Sequence, residues 1–488
     1  MTFKMNKLFQ HKFALPSGQI TLLAFLFCAG FPLILATLQQ AAMSAVLIYI
    51  FVGVVGLLQC HSTQQKLSDS KLRWLGYFWL TKLGLTLFLL YAGWIPQLDP
   101  DSSSSWGYDP QRYYWSALHL VENNWIPVVG LNYQGIVFYY AVIFYLFGHN
   151  PVIPALVNAF VTLLGTLFLI RVSYEFKEKR DPRDWTLAFA LLIPEMVWYD
   201  VMTSRETLMA VLVLVASLSA GRYIVRSGSV SFTTTAWLVG ASLLAILVVR
   251  PFMAIPVMAS IILMTLLGLR SSKTTLLHLT LFGLVGILLT ASPMIQDLSG
   301  GYDMESLIAH ISGVSSFQDN VASRSQDWSE QSIGLLLAPN TLGEGILYLP
   351  LRMILYLVAP LPNVTLSISG LFTGSWSAWQ QLMVLPSSVM NIVAIPSVGA
   401  GFIYSLRHRR HYKAPLVMYI TYFMTFISIA GGNIIIHERY RLMATLLLAS
   451  CAWFGATVCT KQLITQLSFL WYGILAAGAI FYFAYKGL

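Results

Sequence analysis

Apolar runs of ~20 residues, each long enough to cross the hydrocarbon of a bilayer, recur along all 488 residues of this chain with only short polar breaks between them. In lipid, backbone groups must be bonded within their own segment or in a closed barrel, and continuous rather than alternating apolarity selects helices over a β-barrel. The chain reads as an all-α polytopic membrane protein, a bundle of about 11–13 transmembrane helices. Hydrophobic residues make up 57% of it and charged residues 10%, so each charge in or near the membrane calls for a reason.

A net charge of +9 would suit a nucleic acid, but the basic residues sit in the breaks between apolar runs: Lys177, Lys179, Arg180 and Arg183 in one, Arg407, Arg409, Arg410 and Lys413 in another. That is the positive-inside pattern, and no nucleic-acid partner is expected. Cys28, Cys60, Cys451 and Cys459 fall in or at the ends of apolar runs without metal-ligand spacing, which predicts neither a disulfide framework nor a zinc site. Lys4, Lys7 and Lys12 precede an apolar run from Ile20, but a second run follows closely and no small-residue cleavage site is evident, so the first run reads as an uncleaved span.

With the basic breaks taken as cytoplasmic, spans near 19–37 and 41–60 form an N-terminal hairpin within 1–73, and a third span near 74–94 leads outward. Residues 74–460 form the main membrane region, with outer loops 95–131 and 294–343, and 461–488 a last span. The run Tyr133 to Phe147 is short and aromatic, and reads as an interfacial or re-entrant helix. Spans follow near 151–171, 185–203, 206–224, 233–249, 252–269 and 275–293. Between Leu347 and Ser405 there is room for up to three apolar segments, broken by Pro350, Pro360, Pro362 and Pro386, before a span near 414–430 and two more. No internal repeat is evident, which argues against transporters built on inverted repeats.

This topology puts the charged turns on one outer face: Asp109 with Arg112, Arg205 with Glu206, Arg250, and His437 to Arg441. Carboxylates and several cations at one membrane surface suit a reaction in which a hydroxyl attacks and a phosphate leaves. The carboxylate accepts the proton, and the cations hold the phosphate and offset its developing charge. Each member also has a simpler reading. Asp109 before Pro110 opens turns, Arg205 and Glu206 suit a helix end, Arg250 can snorkel, and His437, Glu438, Arg439 and Arg441 can form a solvated turn. Lys82, inside the third span, reads as snorkelled or paired, and His119 and His149 as packing or interfacial residues.

Asp109, Tyr113 and Ala117 stand at four-residue steps in the first large outer loop. Gly135 follows with its Tyr/Phe-rich run to Phe147-Gly148, then Asn158, the Pro194 run ending in Arg205-Glu206, Arg250-Pro251, and Arg439-Tyr440-Arg441-Leu442 before a late span. In this order, from about residue 90 to 460, the chain resembles the GT-C superfamily of membrane glycosyltransferases, in particular family 39, the protein O-mannosyltransferases and aminoarabinose transferases. The resemblance implies a GT-C-like bundle with interfacial helices, located in a bacterial inner membrane with its site on the periplasmic face. It implies inverting transfer of a sugar from a polyprenyl-phosphate donor to a glycan, lipid or protein acceptor. Asp109 would be the general base, Glu206 a second acid, and Arg112, Tyr113, Arg205, Arg250, His437, Arg439 and Arg441 would bind substrate and phosphate. Pro110 stands where that group often has a second acid, and Met443 where it often has Pro; the first departure weakens the case for a divalent metal, and no cofactor is assigned.

Two other readings use the same residues. A polysaccharide polymerase or ligase of the O-antigen type would depend on the loop 294–343, where Arg324 is the one arginine. A lipid or solute transporter would place ionisable groups at mid-membrane rather than at span ends.

Overall fold

In the computed structural model the described residues are 69–92, 109–125, 134–175, 189–226, 231–267, 342–359, 368–373, 376–432 and 438–486, and every regular element among them is helical. The helices are α1 (Asp69–Ala92), α2 (Asp109–Glu122), α3 (Gln134–Phe147), α4 (Val152–Glu175), α5 (Pro194–Asp200), α6 (Glu206–Arg226), α7 (Phe232–Val249), α8 (Ala254–Leu266), α9 (Leu342–Val358), α10 (Ile368–Phe372), α11 (Trp376–Arg407), α12 (Lys413–Gly432), α13 (Glu438–Val458) and α14 (Lys461–Lys486). Short 3-10 turns at Phe189–Leu192 and Pro251–Met253 precede α5 and α8.

Seven of these helices, α4, α6, α7 and α11 to α14, are long and apolar enough to cross a membrane. The chain is an all-α integral membrane protein. The expected spans 19–37, 41–60 and 275–293, nearly all of the loop 294–343, and His437 lie outside the described residues.

The bundle is built around α6 and α13. They pack on each other and share α4 and α12 as neighbours, α7 and α8 cover α6, and α11 covers α13. Lipid gives helices no hydrophobic drive to associate, so close backbone approach through small residues carries much of the packing. A side chain on Gly455 of α13 would run into the Ser397 carbonyl of α11, and one on Gly221 of α6 into Val417 of α12. α14 rests on the outside of α11, where Trp471 Nε1 donates to the Ile392 carbonyl at 2.9 Å, and its Phe469, Leu470 and Ile480 are left exposed.

Three segments depart from the reading of the sequence. The outer loop 95–131 contains a helix, α2, because Asp109 favours a helix N-terminus and Pro110 is tolerated in the first turn, where no backbone donor is needed. The stretch expected to span near 185–203 is, over its described part, a 3-10 turn, the seven-residue α5 and a bend at 201–205, too short to cross as one helix. Its irregular backbone survives because it is buried in protein, where side chains bond its carbonyls. Between Leu347 and Ser405, neither Pro350 nor Pro386 breaks the chain: α9 runs through Pro350, and α11 through both Pro386 and Pro396 for 32 residues. Pro386 lacks one ladder donor, which frees the Leu382 carbonyl four residues back, and the packing of α11 along α13 carries the helix through it. The run Gln134–Phe147 forms α3, 14 residues long, which packs against α2 as a hairpin.

Candidate functional site

The site is assembled at helix ends. Asp109 opens α2, Glu206 opens α6, Arg250 follows the last residue of α7, and Arg439 lies in the first turn of α13. An α-helix leaves its terminal backbone groups unbonded, so such ends are where polar side chains are tolerated in an apolar bundle.

Arg439 Nη1 donates to Asp109 Oδ2 at 2.8 Å across 330 residues of sequence. The two side chains keep 26% and 28% exposure, so the pair lines an accessible surface. Burial pushes the Asp109 carboxyl up, but the charges of Arg439, Arg205 and Arg112, with the Arg439 hydrogen bond, outweigh it and hold the carboxyl below its ordinary 3.8. Arg439 Nη2 donates to Tyr440 Oη at 3.0 Å. The Arg250 guanidinium lies 4.7 Å from the centre of the Tyr440 ring and that of Arg439 4.9 Å, two cation–π contacts on one aromatic. Glu206 Oε1 is 3.8 Å from Arg205 Nε, beyond hydrogen-bond reach, and close enough to Arg439 to act on its charge. Asp109, Arg112, Arg205, Glu206, Arg250 and Arg439, drawn from four separate stretches of sequence, therefore form one electrostatic cluster with Tyr440 at its centre.

The turn carrying Arg205 and Glu206 is fixed from below. Asp200 takes Lys82 Nζ at 2.5 Å and the hydroxyls of Thr162 and Thr207 at 2.9 Å each, all fully buried. Asn158 Nδ2 donates to the Met202 carbonyl at 2.7 Å, and Tyr140 Oη to that of Ser204 at 2.7 Å. Thr203 Oγ1 donates to the Pro110 carbonyl, joining this turn to the residue after Asp109. Lys82 is thus paired, as its place in an apolar run suggests, while Asp200 and Tyr140 are supports that the sequence reading did not single out. The signal for Asp200 was an acid near the end of an apolar run that already contained a proline and Glu195.

Two proposed binders belong to the framework. Tyr113 is 1% exposed and, with Ala117, forms the inward stripe of α2, so the four-residue steps from Asp109 to Ala117 are the spacing of one helix face. Arg441 is fully buried: its Nε donates to Glu195 Oε2 at 2.9 Å, Nη2 to Ser388 Oγ at 2.9 Å, and Nη1 to the Ala359 carbonyl at 2.5 Å. It clamps α5, α11 and the end of α9 to the start of α13 and is taken up by that role. Successive helix residues turn by about 100°, so Arg439 and Arg441 point to nearly opposite sides. Arg352 of α9 is likewise buried, with Nε on the Ala430 carbonyl at 2.7 Å. Among the described residues no three His, Cys, Asp or Glu side chains come together, and no metal ligand set is assigned.

No known family, curated protein or solved structure matches this chain.

Proposed function

We propose that this cluster is the active site of a membrane glycosyltransferase of GT-C type, which moves a sugar from a polyprenyl-phosphate donor to an acceptor hydroxyl at the outer face of a bacterial inner membrane. The observation that carries the reading is the half-open Asp109–Arg439 pair at 2.8 Å, set among further guanidinium groups at the ends of membrane helices. Four guanidinium groups (Arg112, Arg205, Arg250, Arg439) against two carboxylates (Asp109, Glu206) leave a local excess of 4 − 2 = +2. A donor phosphodiester carries one negative charge, and the monoester that departs carries about −1.5 to −2. Such a field stabilises the leaving phosphate more than the bound donor, which is the differential binding that lowers a barrier.

In this reading Asp109 takes the proton of the acceptor hydroxyl, the freed oxygen bonds to the anomeric carbon, and the bond from that carbon to the phosphate oxygen breaks on the opposite face of the sugar. Held below 3.8, Asp109 is ionised at neutral pH but weakly basic. A donor phosphate competing for Arg439 would weaken the Arg439–Asp109 bond and raise the basicity of Asp109 as the substrate arrives. Buried ion pairs inside the bundle are what a transporter would use, yet Lys82–Asp200 and Glu195–Arg441 are each held by several fixed partners.

The test is transfer from a polyprenyl-phosphate sugar by the purified protein, together with mass spectrometry of surface glycans from cells with and without it. A sugar lost from one glycan would identify donor and acceptor together. Unchanged glycans and no transfer from any polyprenyl-phosphate sugar would overturn the reading.

A further inference from the structure

We propose that the turn joining α11 and α12, on the far side of the bundle from the cluster around Asp109, binds the headgroups of anionic phospholipids. α12 runs from this turn to the neighbourhood of the site, where its Ala430 carbonyl meets Arg352. Its 20 residues, at 1.5 Å each, span about 30 Å, the thickness of bilayer hydrocarbon. α13 makes the same crossing in reverse, from Arg439 to Val458. The α11–α12 turn is therefore held at one headgroup layer and the site at the other.

The turn presents Arg407, Arg409 and Arg410, all exposed, and Lys413 at the start of α12. The α13–α14 turn beside it, whose Cys459 lies close to Tyr404, adds the exposed Lys461. None of these five cations makes an ion pair with a described residue. Along the chain the acid nearest to the turn is Glu438, which opens α13 at the other end of the bundle. Cations fixed at headgroup depth, with no carboxylate paired to them among the described residues, attract counter-anions, and in a membrane the phosphates of acidic lipids are there to supply them.

The turn is also built rather than loose. The His408 ring stacks 4.5 Å from Tyr404, Tyr404 packs 5.2 Å from Tyr412, and Tyr412 rests 6.0 Å from Phe454 of α13. The backbone closes it through His408 N–H to the Tyr404 carbonyl at 3.0 Å and His411 N–H to the His408 carbonyl at 2.9 Å. Tyrosines at this depth suit a membrane interface, and a rigid turn presents its arginines without paying much ordering entropy on binding.

The inference does not depend on the reaction at the other face. The test uses the full-length protein in detergent, titrated with short-chain phosphatidylglycerol or phosphatidylcholine and read by native mass spectrometry. The expected result is retention of phosphatidylglycerol over phosphatidylcholine, lost in high salt. Each basic residue near an anionic lipid surface contributes about fivefold in affinity, so Arg409→Gln with Arg410→Gln should weaken phosphatidylglycerol about 25-fold. The Arg409→Lys/Arg410→Lys double variant should retain most of the binding, and Arg439→Ala should leave it unchanged. Equal retention of both lipids by the unmodified protein would overturn the proposal without reference to how any variant folds. So would phosphatidylglycerol binding that survives the Gln substitutions, or that is lost in Arg439→Ala.

Discussion

At the scale of single residues, arginines two positions apart have opposite fates, and this gives the sharpest expectations. Asp109→Asn keeps the shape of the side chain but removes the proton acceptor, and should lower transfer on the order of 100-fold or more with the protein still folded. Full activity in that variant would remove Asp109 from the chemistry. The ionised form of Asp109 is the one favoured in the folded, substrate-free protein, so kcat/KM, which reports the free enzyme, should persist as pH falls to 3.8 and be lost only below that. In Arg439→Gln the strongest stabilising charge is gone, and the acid limb of the pH–rate profile should move upward; a limb that stays in place would mean that another group sets it. Arg441→Ala strands Glu195 in the core, and breaking a buried pair of this kind costs about 3–5 kcal/mol. The expected result is loss of folded protein in a detergent melting assay, with no selective rise in the donor KM of whatever remains.

At the scale of elements, the site depends on how closely helices approach. Gly135 of α3 lies against the backbone of Val248, two residues before Arg250, and a Cβ there would come within 2.6 Å of the Val248 carbonyl carbon. Gly135→Ala should push α3 away from the end of α7, cost about 1–3 kcal/mol and reduce activity through Arg250. Gly240, in the middle of α7, has nothing within 4 Å of such a Cβ, and Gly240→Ala should be neutral or gain up to about 1 kcal/mol. Melting temperatures and transfer rates of the two variants, measured side by side, check both expectations. Helix lengths and most of the cluster were legible in the sequence because lipid penalises stray charge, so the charges that remain at span ends stand out. What was not legible depended on distant partners. The 194–205 stretch reads as a span until Asn158, Tyr140 and Lys82 are seen to satisfy it, and Pro386 reads as a break until α11 is seen to pack along α13. Tyr113 and Arg441 were misplaced for the same reason, since a side chain's direction on a helix follows from which neighbours cover it.

For the whole molecule, the arrangement fixes which parts face which side of the membrane. Gly431 and His411 are exposed near opposite ends of α12. In a background without the native cysteines, Gly431→Cys should react with an impermeant thiol reagent on intact cells and His411→Cys only after permeabilisation; the reverse pattern would put the candidate site on the cytoplasmic face. The Arg441 clamp has a consequence for how the protein is made. All its partners precede it in the chain, Glu195 by 246 residues. At a synthesis rate of about 5–20 residues per second, Glu195 spends roughly 12–50 s in the membrane before its arginine leaves the ribosome. Through that interval Glu195 is without the Arg441 guanidinium, and a chaperone, the insertion machinery or a proton can offset its charge until α13 arrives to close the assembly.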